Sequence, residues 1–216
     1  MEIMFKTFFN RKLTIHTIGD SHAKIPWENV SVKNIIIKTN RLGPRLMHTA
    51  GENPDLISLK PFNVKKKDII IFCFGEIDCR CHVWKYRAKG YKKIINSLVE
   101  KYMTSIHVST SEIPEKNVFI HSIVPAIRRE QHRHNEVAEL PFLGSDQTRA
   151  SYVLYMNESL KKSCKKNGFN FFDIYYKYVD KEGYLNFDLS DGNVHIGNPK
   201  HIEDYLKKNI IPSFKR

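Results

Sequence analysis

The sequence predicts one α/β domain spanning residues 1–216, with a parallel sheet sandwiched between helices. Three observations predict it. Five short runs are dominated by Ile, Val and Phe, the longer segments between them carry apolar residues at helical spacing, and 216 residues suffice for one substantial core. No internal repeat, linker or low-complexity tract divides the chain.

The strand runs are Leu13 to Ile18, Val32 to Lys38, Asp68 to Phe74, Val118 to Val124 and Phe169 to Ile174, all read as covered on both faces. Between the third and fourth, Tyr91, Ile94, Ile95, Leu98 and Tyr102 share one helical face. A second helix is predicted over Thr148 to Asn167, with Tyr152, Tyr155, Met156 and Leu160 inward and Gly168 just past its end. For the last helix, Asn198 suits the N-cap and Pro199 the first turn, and Ile202, Tyr205, Leu206 and Ile210 form the apolar stripe. Strand alternating with helix in this way implies parallel neighbours joined by crossovers.

Hydrophobic residues at 41% and charged residues at 27% exclude a disordered or fibrous chain. The 35 Lys and Arg against 23 Asp and Glu leave a formal charge of +12, so the mean field attracts anions: nucleic acid, anionic glycans, phosphorylated sugars or acidic lipid surfaces. Lys65 to Lys67, Lys161 with Lys162, Lys165 with Lys166, and Lys207 with Lys208 read as solvated faces or partners of helix dipoles. The stretch from Arg128 to His134 differs, because it directly follows the fourth strand and Pro125.

Four cysteines make no disulfide framework, and Cys79, Cys81 and His82 lack a second pair at zinc spacing, so no metal is expected. His132 and His134 read as exposed contacts rather than ligands, and His16, His107 and His201 as structural or exposed. The opening MEIMFKTFFNRK is too short for a signal core, and no run approaches the ~20 residues of a membrane span. A soluble, reducing, cytoplasmic setting is the expectation. GxxxxGK[ST], GxGxxG and HExxH are absent, so no nucleotide cofactor or catalytic zinc is expected.

Open parallel sheets gather ligands where strands end. After the first run come Gly19, Asp20, Ser21 and His22; after the second, Arg41 to Arg45 with Gly43; after the third, Gly75, Glu76, Ile77, Asp78, Cys79 and Arg80. Asp191, Gly192, Asn193, Val194 and His195 precede the last helix. A Ser, a Gly, and an Asp with a His are the parts of a nucleophile, an oxyanion donor and a base with its orienting carboxylate.

At these residues the chain resembles the SGNH/GDSL hydrolases. "IGDSH" is similar to their first block, "RLGPR" supplies a second-block Gly at Gly43, "FGEIDCR" resembles the third block and "SDGNVHIG" the fifth, in order from Ile18 to Gly197. The resemblance implies a flavodoxin-like three-layer α/β/α sandwich with five parallel strands. It also implies Ser21, Asp191 and His195 as catalytic residues, with the N–H groups of Ser21 and Gly43 as oxyanion donors. Two departures stand out. The family's third block places an oxyanion-donating Asn where this chain has Ile77, leaving Arg80, His82 and Arg45 as candidate substitutes. Its Asp precedes its His by three rather than four, which keeps Asp188 open as the orienting carboxylate. Asp78 reads as a structural hydrogen-bonding residue.

The expected function is a serine esterase acting on small O-acyl esters, with O-acetyl groups on a carbohydrate foremost. His22, Arg45, Glu76, Arg80, Arg128 and Arg129 are the candidate substrate-binding residues, the two last favouring an anionic substrate. The same site with a sugar hydroxyl as acceptor would be an O-acyltransferase. A chain with a damaged oxyanion site would be a glycan- or anion-binding module. Nucleic acid is disfavoured because no aromatic interleaves residues 128–134. The acyl group, the acceptor and the oligomeric state are left open by the sequence.

Overall fold

The computed structural model describes residues 12–133 and 138–214. The reading of the N-terminal segment up to Arg11 and the placement of His134 fall outside them. Five strands form one sheet: β1 (Leu13–Gly19), β2 (Ile35–Arg41), β3 (Ile69–Cys73), β4 (Val118–His121) and β5 (Asn170–Phe172), in the order β2-β1-β3-β4-β5. All neighbours are parallel, with Ile15 paired to Ile37 on one side and to Ile69 on the other. Three longer or capped helical regions flank the sheet: α3 (Tyr91–Ser109), α4 (Asp146–Asn167) and a C-terminal run of α5 (Lys200–Tyr205), a π turn (Leu206–Ile210) and α6 (Ile211–Phe214). Two shorter helices, α1 (Met47–Glu52) and α2 (Val83–Lys85), follow β2 and β3. This is the three-layer α/β/α architecture expected of the alternation.

Successive residues of β3 point to opposite faces and enter separate cores. Ile70 and Phe72 pack with Ile95, Leu98 and Tyr102 of α3 and Met156 and Leu160 of α4. Ile69 and Ile71 pack on the other side with Trp27, Ile202, Leu206 and Ile210. Phe72→Ala would cost about 3–5 kcal/mol in so closed a site. Among the described residues no helix is long and apolar enough to cross a membrane.

Several boundaries differ from the sequence expectation, each for a local reason. The second strand starts at Ile35 instead of Val32, because Asn34 takes a left-handed conformation (φ 66°) and closes a turn in which Ile35 N–H donates to Val32 O. As an edge strand it exposes Ile36, so it is not covered on both faces. The fourth strand stops at His121 rather than Val124, because the side chain of Asn157 on α4 takes over both ladder groups of Ile123, at 2.8 and 2.9 Å. Helix α4 starts two residues before Thr148, with Ser145 as N-cap accepting from Thr148 N–H. Gly168 ends it with φ 73°. The last helix starts after Pro199, while the Asn198 side chain accepts from Lys200 N–H at 3.0 Å. Helix α1 has no periodic signal of its own. It is held by Gly51, where an added Cβ would lie 3.0 Å from the Tyr102 nitrogen of α3.

Candidate active site

Strand β1 ends against β3 so closely that a Cβ at Gly19 would lie 2.0 Å from the carbonyl oxygen of Cys73. The chain then turns. Asp20 caps a short 3₁₀ turn over Ser21–Ala23 by accepting the His22 N–H at 2.8 Å. Ser21 therefore stands at the carboxyl end of a central strand, and its N–H, at the start of the turn, has no partner among the described residues.

His195 comes from the far end of the chain. Ser190 and Ile196 form an antiparallel bridge, and Gly192 at φ 82° closes the tight turn between them. Within it, Asp191 Oδ1 accepts N–H groups from Asn193 (2.8 Å) and His195 (3.3 Å), while Oδ2 lies 2.8 Å from His195 Nδ1. The turn absorbs the four-residue spacing. Burial raises the Asp191 pKa, but the His195 ring and these N–H donors outweigh it and hold the carboxyl below its ordinary value. Asp188 sits exposed in a separate turn, Phe187–Leu189. On the other side of the ring, His195 Nε2 is 2.8 Å from Ser21 Oγ. A neutral imidazole with its proton on Nδ1, facing Asp191, turns its Nε2 lone pair toward the serine hydroxyl.

Gly43 is tied to the same rim, because Leu42 N–H donates to Gly19 O at 2.7 Å. Its φ of 82° favours glycine, the space a Cβ would occupy is open, and its N–H has no partner among the described residues. The loop bearing Gly43 is fixed from behind by Asp78. The buried carboxyl group accepts from Met47 N–H (2.7 Å) and His48 N–H (3.1 Å), locking the start of α1 onto the third-block turn. Asp78 is thus structural, as its position suggests.

Ile77 is buried at 3% exposure, so the position offers no side-chain donor. The candidate substitutes are engaged elsewhere. Arg80 forks onto Glu76 at 2.8 and 3.1 Å and donates to Leu140 O at 2.6 Å. His82 stacks on His48 with centroids 4.4 Å apart, and Arg45 reaches toward Leu56 O at 3.4 Å. The corrected picture is a site whose identified candidate donors are the two backbone N–H groups.

His22 directly follows Ser21, and Glu76 lies beside it. Burial disfavours the Glu76 charge, but Arg80 and His22 outweigh it and hold the carboxyl at about 2. Its Oε2 is 3.9 Å from His22 Nε2, and the buried His22 ring lies 4.7 Å from that of His195. Burial keeps His22 below its ordinary pKa, and neither ring nitrogen has a hydrogen bond among the described residues. Burial also pushes the Asp20 carboxyl well above the ordinary range.

The basic loop departs most from expectation. Arg128 is bonded to Asp180 (2.7 Å) and Glu182 (2.8 Å) and lies over the Tyr184 ring, so it is not an open cation on the rim. Arg129 N–H reaches Asp146 at 3.3 Å. His132 Nε2 is 2.5 Å from Asn193 Oδ1, and Arg133 N–H donates to Gly192 O at 3.1 Å. These residues buttress the turn that carries His195. His16 is buried 3.4 Å from Asp68, His107 packs on Phe169 and His201 on Tyr178, in keeping with structural or exposed roles.

No protein-family model matches the sequence, and a search of curated proteins finds no match. Solved structures do match. A Streptococcus pneumonia protein named for platelet activating factor aligns with TM-score 0.65 at 16% identity, covering 91% of this chain and 83% of that one. A GDSL-like lipase from Bacteroides thetaiotaomicron aligns with TM-score 0.59 at 11% identity, covering 94% and 89%. A catalytic mutant of an acetylxylan esterase from Geobacillus stearothermophilus aligns with TM-score 0.55 at 11% identity, covering 90% and 93%. At such identities a likeness speaks to architecture, and the chain has the SGNH/GDSL hydrolase fold.

Proposed function

We propose that the protein is a serine esterase that hydrolyses small O-acyl esters, with O-acetyl groups on a carbohydrate as the substrate class. The observation that carries this reading is the chain of contacts from Ser21 Oγ to His195 Nε2 and from His195 Nδ1 to Asp191 Oδ2, both 2.8 Å. Ser21 Oγ attacks the acyl carbon while His195 Nε2 takes its proton, and Asp191 stabilises the imidazolium. The oxyanion receives the N–H groups of Ser21 and Gly43. His195 returns the proton to the departing alcohol, leaving an acyl-serine. Water, deprotonated by the same imidazole, attacks that ester, releases the acid and restores Ser21. A sugar hydroxyl in place of water would make the second half-reaction an acyl transfer.

The carbohydrate part draws support from the likeness in fold to an acetylxylan esterase, and from a net charge of +12 suited to an acidic polymer. A second reading, a binding module that retains the fold, is favoured by Ile77, since a missing oxyanion donor typically costs about 100- to 1,000-fold in turnover. A fluorophosphonate probe separates the two. Labelling of the parent that disappears in Ser21→Ala is the esterase result, and no labelling of a folded parent overturns it.

A further inference from the structure

Outside the proposed catalytic site, a cavity of about 540 Å³ opens between α1, the turn after β3 and the first turns of α3. That volume is in the range of small-ligand sites. Its walls include His48, His82, Tyr86, Lys89, Lys93 and Lys101, over a floor that includes Leu98. Lys101 is neutralised by Glu52 at 2.6 Å. Lys89 and Lys93 have no salt bridge among the described residues, and the segment from Lys85 to Lys93 carries five cations with no carboxylate before Glu100.

One wall of the cavity is made of rings. His82 stacks on His48 at 4.4 Å, and Tyr86, 48% exposed, leans on His82 at 5.0 Å. Burial lowers His82 to about 4, so near neutral pH it offers hydrogen bonds rather than charge. The neighbouring rings of the segment are already covered: Arg87 lies 4.2 Å over Trp84, and Tyr91 packs on Tyr152 and Tyr155. Tyr86 is itself met by Lys89, whose ammonium lies 5.8 Å over the ring, and still stays half exposed; one such ring beside two cations suits one sugar bearing an anionic group, whereas a single-stranded nucleic acid needs successive platforms. Two walls of the cavity are continuous in the chain with loops of the proposed catalytic site. Asp78 holds the α1 end bearing His48 to the turn that leads to His82, and the loop before α1 carries Gly43.

We propose that this cavity binds a sugar unit carrying a carboxylate or phosphate, with Lys89 and Lys93 pairing to the anion and Tyr86 covering the ring. Resting on the esterase reading, that unit belongs to the glycan whose ester Ser21 attacks. The test is calorimetric titration of Ser21→Ala protein with tetragalacturonate, glucose 6-phosphate, xylotetraose and a ten-nucleotide single-stranded RNA. Tetragalacturonate or glucose 6-phosphate, whichever chemistry the site takes, is expected to bind at least about tenfold more tightly than xylotetraose. Adding Lys89→Gln with Lys93→Gln, or Tyr86→Ala, should weaken that binding by about tenfold with melting temperature unchanged. Lys89→Gln with Lys93→Gln in the Ser21 parent should leave nitrophenyl acetate turnover within about twofold, because these side chains are exposed and this neutral ester carries no anion for them to pair with.

The proposal is overturned if neither anionic sugar exceeds xylotetraose, if the lysine variants bind like the parent, or if the RNA binds more tightly than both sugars through the same lysines. Lysine-dependent sugar binding by a parent that hydrolyses no ester would uphold the cavity and sink the esterase reading instead.

Discussion

Asp191 Oδ2 meets His195 Nδ1 at 2.8 Å across a turn that bonds to itself, with Asp191 N–H donating to His195 O at 3.1 Å and Asp191 Oδ1 accepting two N–H groups. The carboxylate is therefore fixed before it touches the imidazole. An Asn at 191 could preserve the turn while presenting the wrong partner to Nδ1. Asp191→Asn is expected to lower kcat/KM on nitrophenyl acetate by about 1,000-fold or more, and Asp188→Asn by less than about threefold. Equal losses, or the reverse order, would move the orienting role away from Asp191.

The contacts of the basic loop lead to a second expectation. His132 holds Asn193, and Arg133 holds Gly192, on the turn that positions His195. His132→Ala should lower kcat on a neutral ester by about tenfold with KM little changed, because a misplaced base impairs chemistry before binding. Arg128→Gln should instead cost about 1 kcal/mol of stability, with neutral and anionic substrates affected alike, since its charge is satisfied by Asp180 and Glu182. A selective loss on the anionic substrate in Arg128→Gln would restore the loop to substrate recognition.

What the sequence could and could not disclose follows from the range of each interaction. Ser21, Gly43, Asp191 and His195 stand at strand ends or in turns whose chemistry is written within five residues, so their grouping could be read from order alone. The Glu76–Arg80 fork is an i, i+4 pair and equally local. The partners of Arg128 lie more than 50 residues away, at Asp180 and Glu182, and nothing near Arg128 announces them. Helix α1 escaped for a similar reason: six residues make no period, and its anchors are Asp78 and the α3 backbone at Tyr102. The cations and aromatics from Trp84 to Lys93 did carry a local signal, but only packing distinguishes half-exposed Tyr86 from the more covered Trp84 and Tyr91.

Ile77 provides a test of the oxyanion site by gain rather than loss. It occupies the place where the family resemblance expects a donating Asn, and its side chain is buried. Ile77→Asn is expected to raise kcat on a small ester by about tenfold or more, part of the 100- to 1,000-fold a side-chain donor supplies. Some loss of melting temperature should accompany it, because an amide replaces an apolar group. A folded variant with unchanged or lower turnover would mean that this side chain does not face the oxyanion.

Glu76 and Asp78, two residues apart, should imprint opposite pH dependences on stability. Burial raises Asp78 from 3.8 to about 7 despite the N–H groups of His48 and Met47, so between those values the folded state holds more protons than the unfolded chain. Stability from this group is complete below about pH 4 and lost as pH rises toward 7, by at most about 1.4 kcal/mol per pH unit. For Glu76, burial is outweighed by Arg80 and His22, and the pKa falls from 4.5 to about 2. Its contribution is present above pH 4.5 and lost as pH falls toward 2. Melting curves of the parent against each single variant isolate the two groups. The parent's advantage over Asp78→Asn should shrink from pH 4 to 7, and its advantage over Glu76→Gln should grow from pH 2 to 4.5. Asp78→Ala should cost about 2 kcal/mol even at pH 5, because it strands the Met47 and His48 N–H groups at the start of α1. An advantage over Asp78→Asn that grows from pH 4 to 7 would show instead that the two N–H donors dominate burial and keep this carboxylate charged.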